Sequence, residues 1–254
     1  KERGGLSAPT PFWDLTSQRV LGMSRIYGIN IDERDKLRAA GHDLAQVLTN
    51  AATCFFQAVF DDGFFHGDQH AGNMFIDARG EVVFVDFGIV GRLDWKGRVF
   101  LADLMSHLLE GDYDGLAKRY ANEGYLPPTA STQAFALALR SVAEPIVNQP
   151  LERVSFARLL GQLLVMGRTF DMSLQPDLFL LQKNMLMAEG IARSLAPEIN
   201  IWDIARPLVR DWMIYNRNPI SQFAEHAETA LVAAERLPKM LEQAETALTD
   251  FNAE

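Results

Sequence analysis

His66-Gly67-Asp68-Gln69-His70-Ala71-Gly72-Asn73, followed by Asp86-Phe87-Gly88 thirteen positions after Asn73, is the stretch that decides the fold of this 254-residue chain. Asp68 and Asn73 stand five apart. Between Asn73 and Asp86, Met74-Phe75-Ile76-Asp77 reads as a strand and Ala78-Arg79-Gly80 as a tight turn. Val82-Val83-Phe84-Val85-Asp86 reads as the returning strand. Such a hairpin would hold Asn73 and Asp86 at rigid strand ends, so that a ligand need not order the loop between them. An amide oxygen and a carboxylate are hard donors of the kind Mg²⁺ takes. Asp68 would accept a hydrogen bond from a reacting hydroxyl. Gly88 is expected to let the backbone turn sharply after Asp86.

An acid and an amide on one loop, then a hairpin ending in D-F-G, is the layout of a kinase catalytic loop and metal-binding loop. Phosphoryl transfer needs charge neutralised on the β- and γ-phosphates, and a metal ion supplies that. D-F-G alone arises by chance; the two motifs at this spacing, joined by a readable hairpin, are specific. Plainer roles stand beside these. Asp86 would serve as the cap of the next turn, and Asn73 as a loop residue tolerant of unusual backbone angles. His66 is expected to pack beneath the loop and bond its backbone, and His70 to shape it. A rival metal site of His66, Asp68 and His70 would place alternate residues on one side of a strand. Gly67 and Gly72 favour a loop instead.

Composition narrows the classes. The hydrophobic fraction is 48%, enough for a sizeable core. Net charge is −9, which argues against a nucleic-acid-binding surface but not against a nucleotide. Cys54 is the single cysteine, so no internal disulfide forms; its apolar helical setting predicts a buried, inert thiol. The longest uncharged stretch, Leu44 to Phe60, contains Gln46, Thr49, Asn50 and Gln57 and is too polar for a membrane span. The chain as given reads as soluble. It starts at Lys1, and the expectation is that it begins inside a longer gene product.

Along the chain, residues 1–11 read as a loop and Arg19-Val20-Leu21-Gly22-Met23 as a strand. Asp35 to Asp61 reads as one helix with Leu44, Val47, Leu48, Ala51, Cys54, Phe55, Ala58 and Val59 on its apolar face. Beyond Gly91 the pattern is helical: Trp95 to Glu110, then about 131–145, 154–169 and 176–195. Residues 219–254 read as an amphipathic helix with Pro238 as a kink. The predicted fold class is α+β, mainly α: a protein-kinase-like C-terminal lobe whose short β-hairpin carries the catalytic and metal loops, with the N-terminal lobe largely absent. The predicted domains are 1–28, a remnant of an N-terminal lobe strand and hinge; 29–218, the C-terminal lobe; and 219–254, a helical tail.

With these motifs in place the sequence resembles the UbiB-type atypical kinases associated with ubiquinone biosynthesis. Trp13-Asp14-Leu15-Thr16-Ser17-Gln18-Arg19-Val20-Leu21 resembles that family's strand into the interlobe hinge, and Arg25-Ile26-Tyr27-Gly28-Ile29 its exit. Phe60-Asp61-Asp62-Gly63-Phe64-Phe65-His66 resembles the entry to the catalytic loop, and Asp86-Phe87-Gly88-Ile89-Val90-Gly91 the metal loop. Glu144-Pro145-Ile146, Leu180-Leu181-Gln182-Lys183 and Glu189-Gly190 resemble its C-terminal helices. The chain departs from the family at Ser24, where Glu is common, and at Gly67 and Ala71 within the loop.

The resemblance implies a two-lobed kinase-like fold, ATP and Mg as cofactors, and an ATPase or a kinase acting on a small molecule or lipid in ubiquinone (coenzyme Q) biosynthesis. It implies Asp68, Asn73 and Asp86 as catalytic residues, Asn73 and Asp86 as metal ligands, and Met23, Ser24 and Arg25 as the hinge that meets adenine. Quinone-biosynthesis intermediates or enzymes are the implied partners. The implied location is the cytoplasmic face of the bacterial inner membrane, reached through an anchor outside this chain. The phosphate-binding Lys and its Glu partner would lie upstream of Lys1. The gene product is therefore expected to be active, and this stretch alone inactive. Two other readings remain: a small-molecule phosphotransferase of the aminoglycoside or choline kinase type, which Gly67 also suggests, and a non-catalytic scaffold for quinone-biosynthesis enzymes.

Overall fold

A computed structural model describes residues 6–147 and 155–217. The predicted tail 219–254 lies outside the described residues. The chain divides into two compact units, Lys1–Val209 and Arg210–Glu254.

Among the described residues the chain is mainly helical with two small sheets. The larger sheet orders its strands β1 (Leu6–Ser7), β5 (Val82–Phe84), β4 (Met74–Ile76) and β2 (Ile29–Asn30). β4 and β5 form the predicted antiparallel hairpin, with Met74 opposite Phe84 and Ile76 opposite Val82. Gly80, at φ +81, closes its turn, where a side chain would be strained. β1 runs parallel to β5, and β2 antiparallel to β4. The smaller sheet pairs β3 (Phe64–His66) with β6 (Val90–Arg92), placing Phe65 opposite Gly91. A Cβ at Gly91 would enter the Phe65 ring, so only glycine lets the strands close over that buried phenylalanine.

Three local predictions are corrected. Leu6–Ser7, inside the stretch 1–11 read as a loop, pair with β5 as β1. Residues 19–23 do not form a strand. Residues 10–24 fold back as an irregular hairpin held by the isolated bridges Pro11–Met23 and Ser17–Val20, with a 3-10 turn at Trp13–Leu15. Val20 and Leu21 are exposed, so the apolar run lacks the burial that favours a strand. The helix foreseen from Asp35 to Asp61 is two: α1 (Arg34–Ala39) and α2 (Leu44–Gln57). Gly41, at φ +87, ends the first, and the Asp43 carboxylate caps the second by accepting from Ala45 N–H. A π-turn, Ala58–Asp62, follows and stops at left-handed Gly63. Arg98 Nη1 then donates to the Phe60 and Asp61 carbonyls at 3.0 and 2.9 Å, satisfying helix-end acceptors.

The helical part runs through α3 (Trp95–Glu110), α4 (Tyr113–Asn122), α5 (Thr132–Val147), α6 (Phe156–Thr169), α7 (Asp177–Leu195) and α8 (Ile201–Arg217). α4 packs on α5, and α6 on α7. Leu116, Leu139, Leu159 and Leu181 are fully or almost fully enclosed. Each such side chain contributes about 1.5–3 kcal/mol by leaving water. Tyr120 stacks on Phe100 with ring centres 4.5 Å apart and donates its hydroxyl to the Phe100 carbonyl. Trp202, in the first turn of α8, meets Phe56 of α2 and Phe156 of α6. Cys54 is buried, and burial pushes its thiol pKa up, in keeping with an inert thiol. No helix among the described residues is long and apolar enough to cross a membrane.

Candidate active site

The loop between β3 and β4 is tied down residue by residue. Gly67 N–H donates to the Ile89 carbonyl at 2.8 Å. A Cβ at Gly67 would lie 2.6 Å from Ile89 Cγ2 and 3.0 Å from Leu180 Cδ2, so glycine lets the loop pass between the metal loop and α7. His66 is buried; its Nε2 lies 2.9 Å from the Val85 carbonyl, and its Nδ1 accepts from Asp68 N–H at 3.0 Å. With Nδ1 accepting, Nε2 carries the proton and donates. The expectation that His66 packs beneath the loop and bonds its backbone is met. His70 Nδ1 accepts from Gly72 N–H, shaping the 3-10 turn Ala71–Asn73.

The same bonds exclude the rival metal site, because both His66 nitrogens are engaged. No cluster of three or more His, Cys, Asp or Glu suited to a metal occurs among the described residues.

The structure brings Asp68 and Asn73 together. Asn73 is buried and its Nδ2 donates to the Asp68 carbonyl at 3.0 Å. That bond fixes the amide with Oδ1 at its other end. Val85 N–H donates to the Asn73 carbonyl at 3.0 Å, coupling this loop to the residue before Asp86.

Asp86 differs from expectation. Its own φ is +59, and Gly88 is not in the left-handed region. The sharp turn is made by Asp86, a residue type whose short polar side chain tolerates that conformation. Asp86 Oδ1 accepts from Gly88 N–H at 3.3 Å, so the plainer capping role is also present. Phe87 leans on His66, ring centres 4.9 Å apart.

Met23, Ser24 and Arg25 take part in none of these contacts. Ser24 is bonded to Thr10 through both its N–H and its Oγ, and Arg25 lies over the Tyr27 ring. They form the arm that leads into β2.

Sequence reasoning missed the contribution of α7. Lys183 Nζ donates to Asp68 Oδ1 at 2.9 Å, and His70 Nε2 lies 3.8 Å from Oδ2. The bond from Lys183 holds the Asp68 carboxyl below the usual carboxylate range, with desolvation opposing and the charge of Lys183 acting in the same direction as the bond. Next to Lys183, the fully buried Asn184 accepts from Gln69 N–H through Oδ1 at 2.9 Å and donates through Nδ2 to the Leu180 carbonyl. The only signal was Asn184, an amide on a helix otherwise rich in Leu and Met, which needs a partner once buried; Lys183, on an exposed position, gave none.

An amide oxygen and a carboxylate are donors of the type Mg²⁺ takes. One amide and one carboxylate do not make a closed protein cage, which suits an ion that keeps waters and shares phosphate oxygens.

Residues 1–120 match the ABC1 atypical kinase-like domain, and residues 139–200 the UbiB helical domain. The proteins named Probable protein kinase UbiB are similar throughout. That of Photobacterium profundum is 36% identical over 241 residues, covering 93% of this chain and 44% of its own length. That of Azotobacter vinelandii is 35% identical over 251 residues, covering 97% of this chain and 46% of its own. The chain thus spans less than half the length of these curated relatives. Among solved structures, the complex of Rv3197 with erythromycin from Mycobacterium tuberculosis aligns with a TM-score of 0.50 at 19% identity, covering 81% of this chain and 52% of that one. It is a likeness of fold.

Proposed function

The chain belongs to the ABC1/UbiB atypical kinase family, and from that premise we propose that it supplies the Mg–ATP-handling catalytic lobe of a factor for ubiquinone biosynthesis. In this reading residues 29–218 are the C-terminal lobe, and residues 1–28 belong to a strand and hinge of the N-terminal lobe. Asn73 Oδ1 and the Asp86 carboxylate would hold the metal, which supplies charge neutralisation on the nucleotide phosphates. Met23 to Arg25 would offer backbone groups to adenine. Asp68 would accept the hydrogen bond of an attacking hydroxyl or water.

The observation that carries this reading is the bond network joining Lys183, Asp68 and Asn73. Lys183 donates to Oδ1 of the Asp68 carboxylate and so holds it in one orientation, and an acid that must accept a hydrogen bond has to be a carboxylate. The backbone of Asp68 in turn orients Asn73. An ionised Asp68 of lowered pKa is a weak base. Its role is therefore to orient the nucleophile, with full proton removal late in the reaction, as a dissociative phosphoryl transfer allows.

The reaction is Mg-dependent ATP hydrolysis or phosphorylation of a small molecule or lipid. The test is genetic. A strain whose copy of the gene carries Asp86→Asn should lose ubiquinone as fully as a deletion strain. Normal ubiquinone in the Asp86→Asn strain, with loss only on deletion, would point to a scaffold instead.

A further inference from the structure

The loop of Asp68 lies within the residues that match the ABC1 atypical kinase-like domain, and Lys183 within those that match the UbiB helical domain. The ion pair between them joins the two modules at the candidate active site.

Three observations give Lys183 a role beyond that ion pair. The first is where cations are missing. Phe64 to Asn73 contains no Lys or Arg, and neither does Asp86 to Gly91. Arg79, at the turn of the hairpin, is taken by Asp77 and Glu81, and Arg92 lies over the Phe64 ring. The second is what the loop requires. A nucleophile bonded to Asp68 while it attacks phosphorus sets the carboxylate within about 6 Å of the transferring group. Two negative groups at that range repel each other, and a cation beside both offsets the repulsion. The third is how Lys183 is held. An ammonium has three donors, and Asp68 Oδ1 takes one of them. The side chain is 48% exposed, so the fold has not enclosed it. Its helix is fixed against the loop by Asn184, which accepts from Gln69 N–H at 2.9 Å, and by Leu180 closing over Gly67. An exposed ion pair adds little stability, so stability does not account for a lysine held on this acid.

On the premise of the Mg–ATP reading, we propose that Lys183 is a catalytic residue: its ammonium holds Asp68 and donates a second N–H to an equatorial oxygen of the transferring phosphoryl group. The helical domain thereby completes a site whose other residues come from the kinase-like domain. His70 Nε2 stands off Asp68 Oδ2 at 3.8 Å, longer than a hydrogen bond, which leaves Oδ2 to accept from the nucleophile. As the bond from the nucleophile's oxygen to phosphorus forms, the bond from phosphorus to the bridging oxygen breaks. The electron pair leaves with ADP, and the nucleophile's proton passes late to Asp68 Oδ2. Lys183 keeps its proton throughout and stabilises charge on the transferring group.

The test is calorimetric, on the complete gene product. It compares binding of Mg–ADP with binding of Mg–ADP plus fluoroaluminate, a mimic of the transferring phosphoryl group. Lys183→Met should weaken the fluoroaluminate complex on the order of a hundredfold and leave Mg–ADP binding unchanged. Lys183→Arg keeps the charge and should lose less. The loss from Lys183→Met should persist in an Asp68→Asn background, because a direct contact does not act through the carboxylate. No loss, an equal loss for Mg–ADP, or a loss that vanishes in the Asp68→Asn background would overturn the proposal. A parent that binds neither complex, or an Asp86→Asn variant that binds both as the parent does, would instead overturn the Mg–ATP reading, and the proposal with it.

Discussion

Lys183 Nζ bonds Asp68 Oδ1 at 2.9 Å across 115 positions of sequence. The contact ties the middle of α7 to the loop between β3 and β4, and Asn184 adds a second tie through Gln69. Helix and loop are thereby set as one unit.

The first prediction concerns the charge of Asp68. Lys183→Met should raise its pKa toward the ordinary carboxylate value, read by ¹³C titration of the carboxyl group. The pKa is lowered in the folded chain. The stability it contributes is therefore present above the ordinary carboxylate range and is lost as pH falls through the lowered value. Both side chains are partly exposed, so the melting temperature should change little while the titration moves clearly. An unmoved titration would show that Lys183 does not set the charge.

Asn184 should matter to stability instead. Replacing it by Leu removes the acceptor of Gln69 N–H inside a buried site. An unsatisfied buried donor costs about 1–3 kcal/mol, which a denaturant titration resolves. A loss below a few tenths of that would mean the loop relaxes to find another partner.

Asp86 carries backbone geometry as well as charge. At φ +59, Asp86→Val should destabilise the chain by about 1–2 kcal/mol without any ligand present, because a β-branched residue resists that conformation. Asp86→Asn should leave the melting temperature close to the parent's, since Asn tolerates the left-handed region. Equal melting of all three chains would contradict the strained turn.

Gly91→Ala should cost about 1–3 kcal/mol, because its Cβ would enter the buried Phe65 ring. Thermal unfolding checks this. Phe65→Leu in the same chain should restore part of the loss by vacating the ring's space.

The site's local parts were legible in the sequence because they are short-range. The hairpin from Met74 to Phe84 has a turn glycine between two short apolar runs, and both strands form where those runs lie. His66 and Asn73 bond within their own loop or to Val85, reachable from spacing alone. The helix boundaries at Trp95, Glu110 and Leu195 sit where the apolar period stops. Lys183 was not legible as a site residue, because nothing in a 115-residue separation indicates which polar group of a helix will face a loop. The turn at Asp86 was missed because glycine is the usual left-handed residue, and here the aspartate before it took that role. The strand read at residues 19–23 failed because a short apolar run makes a strand only where a partner covers it.

The central claim is that Asn73 and Asp86 hold a metal–nucleotide complex. It is tested most directly by thermal unfolding of the chain with Mg–ATP, set against Mg²⁺ alone, ATP with EDTA, and the Asp86→Asn chain. At ten times the dissociation constant, ligand linkage gives about 1.4 kcal/mol of stabilisation. The account predicts a rise in melting temperature that needs both Mg²⁺ and ATP and disappears in Asp86→Asn. A rise of the same size in Asp86→Asn, or one that ATP produces without Mg²⁺, would contradict it.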